Sequence, residues 1–340
     1  MSSTGRPHRR WRIGMQPDTI GLQHWSILCG LSLLHHSGVA QLRFSDYGVP
    51  PEPAIWLEVH DLESATTRTV CIDLTDVADL SGPRRTALAD SLWKRSWTPG
   101  NGRPLGLVAG MRSGHEPFAR YAAAAAWTAA RHASPQRLRA AVSGLRRANR
   151  YRNIDEYETP TRKRPVVLFQ VAGWGPEQIR DPATGAVVND QRARLIVALR
   201  EHFGPQFVGG FTRNAFTERA YPHLLSDQPQ SRAEYVELIR SSAIAVSSVG
   251  LHGSNPWKLA EYLATGAAVV TEPLHFPLPE SLDGVAAFYE TIDECVARCN
   301  ALLRDDEALR AAQEGAADYW RRYARPDALL QRRLTEEFER

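Results

Sequence analysis

The sequence predicts an α/β protein of two Rossmann-like domains with parallel sheets, and three observations carry that prediction. The first is periodicity. From Pro165 onward, short β-branched and aromatic runs alternate with segments of helical period, the pattern of a parallel sheet covered on both faces. The second is size: 340 residues exceed one small core and suit two domains of ordinary length. The third is composition, since 43% hydrophobic and 23% charged residues belong to a globular enzyme and not to a disordered or fibrous chain.

In the first half, a strand over 11–15 leads through Pro17 and Gly21 to an apolar-periodic helix over 22–36. Strands are expected over 40–44, 54–59, 70–74 and 105–108, separated by Pro, Gly and Asp turn signals. The Ala- and Arg-rich segment 117–150 reads as one or two helices. The polar stretch 151–165 then marks the junction, giving an N-terminal domain 1–155 and a C-terminal domain 156–340 whose last helices are free to cross back. In the second half strands are expected over 166–171, 207–211, 244–248, 267–272 and 285–289, with helices over 191–204, 233–243 and 257–266. Gly204 and Gly266 sit where helix C-caps are needed. Ligands in such sheets bind beyond the carboxyl ends of the strands, which directs attention to the loops after Val171, Phe211, Ser248 and Glu272.

Charge and cysteine usage exclude several classes. The net charge is +3 with basic residues spread along the chain, which argues against a nucleic-acid partner. Nearly all of them are arginine; lysine occurs only at Lys94, Lys163 and Lys258. Cys29, Cys71, Cys295 and Cys299 are too few and too irregular for a disulfide framework or a zinc site, so a reduced cytoplasm and no metal are expected. The basic N-terminus and the apolar run 25–34 do not make a signal peptide, and no stretch reaches the roughly 18 apolar residues of a membrane span. Membrane contact, if any, is then peripheral.

The segment VGLHGSNPWKLAEYLATGAAVVTEPL, residues 249–274, carries the chemistry. Gly250 and Gly253 let backbone approach a ligand. Ser254 or Asn255 suits an N-cap and Pro256 the first helical position. The amides and positive dipole end of this helix form an anion site for a diphosphate, to which Lys258 adds a cation. Glu261 lies one turn on, where a carboxylate can accept from the vicinal hydroxyls of a ribose; the plainer alternative is a surface pair with Lys258. Arg213 after the second strand is a further cation for the diphosphate, and Gly173 with Trp174 after the first is a candidate pocket wall. Glu272 ends a strand toward the same cleft and can accept sugar hydroxyls. In the first half, Asp18 and His24, and also Asp73 and Asp76, are placed where a base could face an acceptor; capping, turn formation or core packing would equally explain them.

Glu261, Gly266 and the strand AAVVTEP resemble the end of the E-x7-E region of group 1 glycosyltransferases, in which the second glutamate contacts ribose. The run from VVLFQVAGW through VVTEPLHFPLPE more specifically resembles bacterial group 1-like proteins with a GLHxSxxWKxxEY core. The likeness covers most of 166–330 and, more faintly, DLTDVADL and WKRSW. It implies a GT-B fold, two domains facing across a cleft, and metal-independent transfer of a glycosyl group from a nucleoside-diphosphate sugar to a hydroxyl of a small-molecule, glycan or peptide acceptor. The sugar nucleotide is a substrate, and no cofactor is implied. No DxD pair sits where it would hold a metal-bound diphosphate, which agrees. The chain departs from the pattern at the first glutamate, whose place is taken by Gly253; His252 beside it is the substitute for hydrogen bonding or proton transfer. Two other readings remain: a nucleotide-sugar epimerase or hydrolase on the same fold, and a catalytically silent sugar-nucleotide-binding protein.

Overall fold

The structure is a computed structural model that describes residues 10–17, 24–49, 54–76, 87–148, 150–179, 181–228 and 231–339. The chain forms two compact units: Met1–Ile154 with Phe276–Glu280 and Arg322–Arg340, and Asp155–His275 with Ser281–Arg321.

In the first unit β1 (Trp11–Met15), α1 (His24–His36), β2 (Ala40–Phe44), β3 (Ala54–Asp61), β4 (Thr67–Asp73), β5 (Ser91–Lys94) and β6 (Arg103–Pro104) build a sheet of order β2-β1-β3-β4-β5-β6. Pairings β1–β2, β4–β5 and β5–β6 are parallel, while β1–β3 and β3–β4 are antiparallel. For β3 and β4 the reason is local. Asp61 accepts from Glu63 N–H at 3.2 Å and Ser64 Oγ at 2.9 Å, and its own N–H donates to the Thr66 carbonyl at 2.9 Å, folding 61–67 into a tight hairpin. Strands joined so closely can pair only antiparallel. The strand expected over 105–108 does not form. The ladder ends at Pro104, and the backbone turns at Gly106 with φ +113°, a conformation closed to ordinary side chains. A strand absent from the sequence reading stands at Ser91–Lys94 instead. There β7 (Met111–Arg112) precedes two helices, α2 (Phe118–Arg131) and α3 (Pro135–Ala148), and β8 (Arg152–Asn153) pairs with β7.

The second unit opens in α4 (Ile154–Glu158) and continues as a doubly wound, Rossmann-like sheet. Its strands are β9 (Arg164–Val171), β10 (Phe207–Phe211), β11 (Ser242–Ser247), β12 (Ala268–Thr271) and β13 (Ala286–Phe288), all parallel, in the order β10-β9-β11-β12-β13. Connecting helices are α5 (Pro182–Phe203), α6 (Ala215–Ala220), α7 (Arg232–Ser241), α8 (Trp257–Ala264), α9 (Ile292–Arg304) and α10 (Asp306–Tyr319). α9 packs on α5, and α10 packs on α8. Val167, Phe169, Ile196, Leu199, Phe211, Ile244, Val246 and Val270 form the dry interior, so the strands read as continuous apolar runs. α5 begins about two and a half turns before its expected start at Gln191, because Asp181 caps it, accepting from the N–H groups of Ala183 and Thr184, with Pro182 next. Gly204 is the C-cap of α5 at φ +49°, whereas α8 is capped by Thr265 and Gly266 follows one residue later, at φ +61°.

A last helix, α11 (Pro326–Phe338), belongs to the first unit and packs along α1. Gly30 permits the approach: a Cβ there would stand 2.4 Å from the Pro326 carbonyl oxygen. No helix among the described residues is long and apolar enough to cross a membrane.

Candidate functional site

The strand order of the second unit reverses direction between β9 and β11, and ligands bind at such switch points beyond the carboxyl ends of the strands. One side chain pins that point together. Arg192 on α5 donates from Nη1 to the Ala172 carbonyl at 2.8 Å, from Nε to Ser248 Oγ at 3.3 Å and from Nη2 to the Val249 carbonyl at 3.3 Å. Burial pulls its pKa down to about 10, which leaves it charged at neutral pH, with Glu272 favouring the charge. One turn earlier the buried Asn189 amide both accepts from the Trp174 N–H at 3.0 Å and donates to the Trp174 carbonyl at 2.9 Å. The inner face of α5 therefore sets both loops. Sequence reading assigned neither residue a role: nothing marks which face of the expected helix Arg192 presents, and Asn189 precedes that helix's expected start.

Beyond β11, β12 and β13 lies a cavity of about 630 Å³. Its walls are Ala183, Thr184, Val187, Val188 and Gln191 of α5, then Val249, Gly250, Gly253, Glu272, Pro273, His275, Tyr289 and Glu290. Glu272 is its central polar group, 7% exposed. One carboxylate oxygen accepts from the Val249 N–H at 2.7 Å and the other from the Gln191 amide. Burial raises its pKa above the usual carboxylate value, opposed by the Val249 N–H and by Arg192. Tyr289 is held by donating to the Ser247 carbonyl at 3.0 Å, and burial pushes its phenol pKa up.

The loop from 250 to 254 is closed on itself: Gly250 N–H donates to the Ser254 carbonyl at 2.9 Å, and Ser254 N–H to that of Leu251 at 3.0 Å. His252 is exposed and left-handed, at φ +56° and ψ +25°. Gly253 follows at φ +70°, where a Cβ would stand 2.5 Å from His275 Nδ1. Gly253→Ala is therefore expected to cost about 1 kcal/mol through the left-handed backbone alone and to displace the His275 ring. A urea-unfolding comparison with the parent checks it, and a stability gain would refute it. For the same reason a glutamate is not sterically welcome at this position.

The α8 segment differs from expectation at its start. Neither Ser254 nor Asn255 caps the helix; both are buried upstream, and the N-cap is Pro256, at φ −71° and ψ 131°, with no side-chain cap. The Pro256 carbonyl accepts the first helical bond, from Leu259 N–H at 3.2 Å, which places the boundary one residue later than the Ser/Asn preference suggests.

Lys258 and Glu261 belong to a polar cluster among α7, α8 and β9, and neither is among the cavity-lining residues. Lys258 Nζ donates to the Gln170 carbonyl and lies 4.8 Å from the centre of the Tyr235 ring. Burial pulls its pKa down to about 7, opposed by Glu261, with Arg192 and Arg232 adding to the fall. Glu261, 4% exposed, accepts from Arg232, which also donates to Tyr157 Oη at 2.8 Å. The second Glu261 oxygen is buried without a hydrogen-bond partner among the described residues. Arg232 thus takes the place that a surface pair with Lys258 would have had.

The remaining candidates are dispersed. Gly173 is buried, with room for no Cβ beside Thr217, 2.5 Å away; its carbonyl accepts from the Asn214 amide at 3.2 Å. Trp174 is half-buried, and Arg213 is exposed in the loop after β10. Asp18 lies outside the described residues, and His24 opens α1 in the first unit. Asp73 forms a fully buried ion pair with Lys94 at 2.8 Å, and Asp76 pairs with Arg95. Among the described residues no three His, Cys, Asp or Glu side chains gather as a metal cage.

No protein-family model matches the chain, and no curated protein matches it in sequence. Among solved structures the chain is similar to a GtfA/B complex, at 12% identity and a TM-score of 0.33 over 52% of this chain and 37% of that one. It is similar to the C-terminal domain of a glycosyl transferase group 1 family protein (LpcC) from Francisella tularensis, at 15% identity and 0.33 over 47% and 85%. It is also similar to UDP-GlcNAc 2-epimerase from Neisseria meningitidis bound to UDP-GlcNAc, at 16% and 0.33 over 51% and 44%. The chain spans 37% of the first of these chains.

Proposed function

We propose that this chain is a GT-B-type glycosyltransferase whose second unit holds a nucleoside-diphosphate sugar and whose first unit holds a hydroxyl acceptor. The observation that supports the reading most is the cavity at the carboxyl ends of β11 to β13, where glycine backbone at 250 and 253 adjoins the Glu272 carboxylate. A doubly wound sheet receives ligands at this place, and its volume falls within the range of small-molecule pockets. In the reaction, the bond from the anomeric carbon to the diphosphate oxygen breaks, a bond to the acceptor oxygen forms, and the acceptor hydroxyl proton leaves.

In this proposal Glu272 accepts from donor-sugar hydroxyls, and His252 at the rim hydrogen-bonds the sugar or phosphate. Gly250, Gly253, Ser254 and Asn255 shape the approach to the mouth of α8, where the amides and Lys258 meet the diphosphate, with Arg213 as a second cation. Glu261 meets the ribose; for that, its contact with Arg232 and that of Lys258 with Gln170 are exchanged for ligand contacts. Gly173 and Trp174 wall the nucleotide, and Asp18 or His24 serves as the base for the acceptor. Phosphate charge is neutralised by helix amides and cationic side chains without a divalent ion.

A thermal-shift screen of nucleoside diphosphates and their sugars tests the donor half. A true ligand at a hundredfold excess over its dissociation constant stabilises by about 2.7 kcal/mol, and no shift across the panel refutes the reading. Product analysis tests the rest: transfer to an acceptor supports it, whereas an epimerised sugar or binding without turnover would assign the site to another activity. Glu272→Ala is expected to lower kcat/KM for the donor about tenfold, the worth of one hydrogen bond to a charged group. Unchanged donor kinetics would remove Glu272 from the site.

A further inference from the structure

We infer that the outward face of the α2–α3 hairpin is a docking surface for an anionic lipid bilayer. Residues 117–154 contain eight arginines and no Asp or Glu, a concentration hidden in the chain's modest net charge of +3. The two helices turn Tyr121, Ala125 and Ala129, and Arg137, Ala141 and Ala148, inward. Arg137 donates to the Val49 carbonyl at 2.8 Å and is part of the packing.

The other sides of both helices carry exposed apolar side chains among arginines. Trp127 is 57% exposed, Leu138 49% and Val142 39%, three of the seven large hydrophobic side chains most exposed among the described residues. Ala123, Ala126 and Ala130 extend the smooth apolar surface of α2 around Trp127. Exposed Arg131, Arg139, Arg146 and Arg150 border it, and the Arg131 guanidinium lies 5.2 Å from the centre of the Trp127 ring. Leu138 and Val142, with Arg139, Arg146 and Arg150, line a shallow hollow of about 510 Å³. Asp46 reaches the far end of α2, where it pairs with His132 at 2.7 Å and Arg131 at 3.9 Å, and so offsets part of the charge there.

Charge alone would suit any polyanion, and the apolar side chains decide among them. A nucleic-acid backbone offers nothing to an exposed leucine and valine, whereas the headgroup boundary buries them and leaves arginine heads beside lipid phosphates. Tryptophan is the side chain favoured at that depth. Helices that lie in the interface show this composition: basic on the polar side, with Trp and Leu on the other.

Co-sedimentation of the full chain with phosphatidylcholine vesicles, with and without phosphatidylglycerol, tests the inference, and needs no sugar nucleotide or turnover. Binding to the anionic vesicles is expected to exceed that to the neutral ones by about tenfold or more and to weaken with salt. The double variant Arg139→Gln/Arg146→Gln is expected to bind about twenty-five-fold more weakly, near fivefold per charge lost at the surface. Trp127→Ser/Leu138→Ser, which touches no charge, is expected to lose binding also, with the thermal midpoint of both variants unchanged. Equal binding to the two kinds of vesicle overturns the inference. So does serine-variant binding at the parent's level, and so does binding of the parent to duplex DNA together with indifference to vesicles.

Discussion

Lys258→Met is expected to lower donor turnover by about a hundredfold to a thousandfold, the usual loss when one preorganised donor to a developing anion is removed. In the structure this amine sits near its midpoint at neutral pH, with a pKa of about 7, because burial outweighs the attraction of Glu261. A diphosphate beside it favours the charged form, so donor binding takes up a proton and tightens as pH falls toward 7. Stability moves the other way. Between pH 7 and the unfolded value of 10.5 the unfolded chain holds more protons at this residue than the folded one, so stability rises with pH through that window. Below pH 7 both states are protonated and the cost is carried in full. Methionine has no such cost. The variant is expected to be more stable than the parent by about 1 kcal/mol below pH 7, the linkage value being heavily discounted for partial exposure and for the lost contact with Gln170. The advantage should vanish toward pH 10.5. Steady-state kinetics with an identified donor and urea melts at several pH values check both halves. Intact turnover would end the role proposed for Lys258, and a less stable variant at pH 6 would show that the contacts with Gln170 and Tyr235 outweigh the burial of charge.

The second unit was legible because its structure is local. Alternating apolar strands and periodic helices, with Gly204 and Gly266 as stops, describe a parallel sheet without any knowledge of distant pairing. The first unit was less so. β3 and β4 lie antiparallel because of a turn set by Asp61, and β5 was missed because Lys94, a poor strand residue, is neutralised by Asp73, 21 positions earlier. Local propensity carries no trace of such a partner. The site divides in the same way. Gly250, Gly253 and Glu272 stand at a strand end, and their positions follow from topology. Arg192 and Asn189 do not, because only folding shows that their stretch of α5 crosses the switch point. The spacing of Lys258 and Glu261 places them on one side of α8 but says nothing of α7, whose Arg232 holds the carboxylate. Net charge hides one local bias: basic residues spread over the whole chain still leave residues 117–154 with eight arginines and no acid.

Glu337→Ala is expected to destabilise the first unit by about 3 kcal/mol, the lower end for breaking a buried charge pair by removing one partner. The Glu337 side chain is fully buried near the end of α11. Its carboxylate accepts from Arg68 of β4 at 3.0 Å, from Arg103 of β6 at 2.7 Å and from the Trp93 indole of β5 at 3.4 Å. One side chain thus fastens a helix that returns from the end of the chain to three neighbouring strands. Arg68 and Arg103 keep about a third of their side-chain surface in water, so they recover some hydration once the carboxylate is gone, which keeps the loss from reaching 5 kcal/mol. Glu337→Gln retains the shape and one acceptor oxygen while losing the charge, and is expected to cost about half as much. In a two-unit protein the transition need not be two-state, so the readout is protection of β4–β6 amides in hydrogen exchange together with the thermal midpoint of the first unit. A fall of roughly 6–12 °C is expected for a unit of this size. A drop under about 1 kcal/mol for Ala, or equal losses for Ala and Gln, would mean that α11 is held by its apolar packing on α1 and that the charge contributes little.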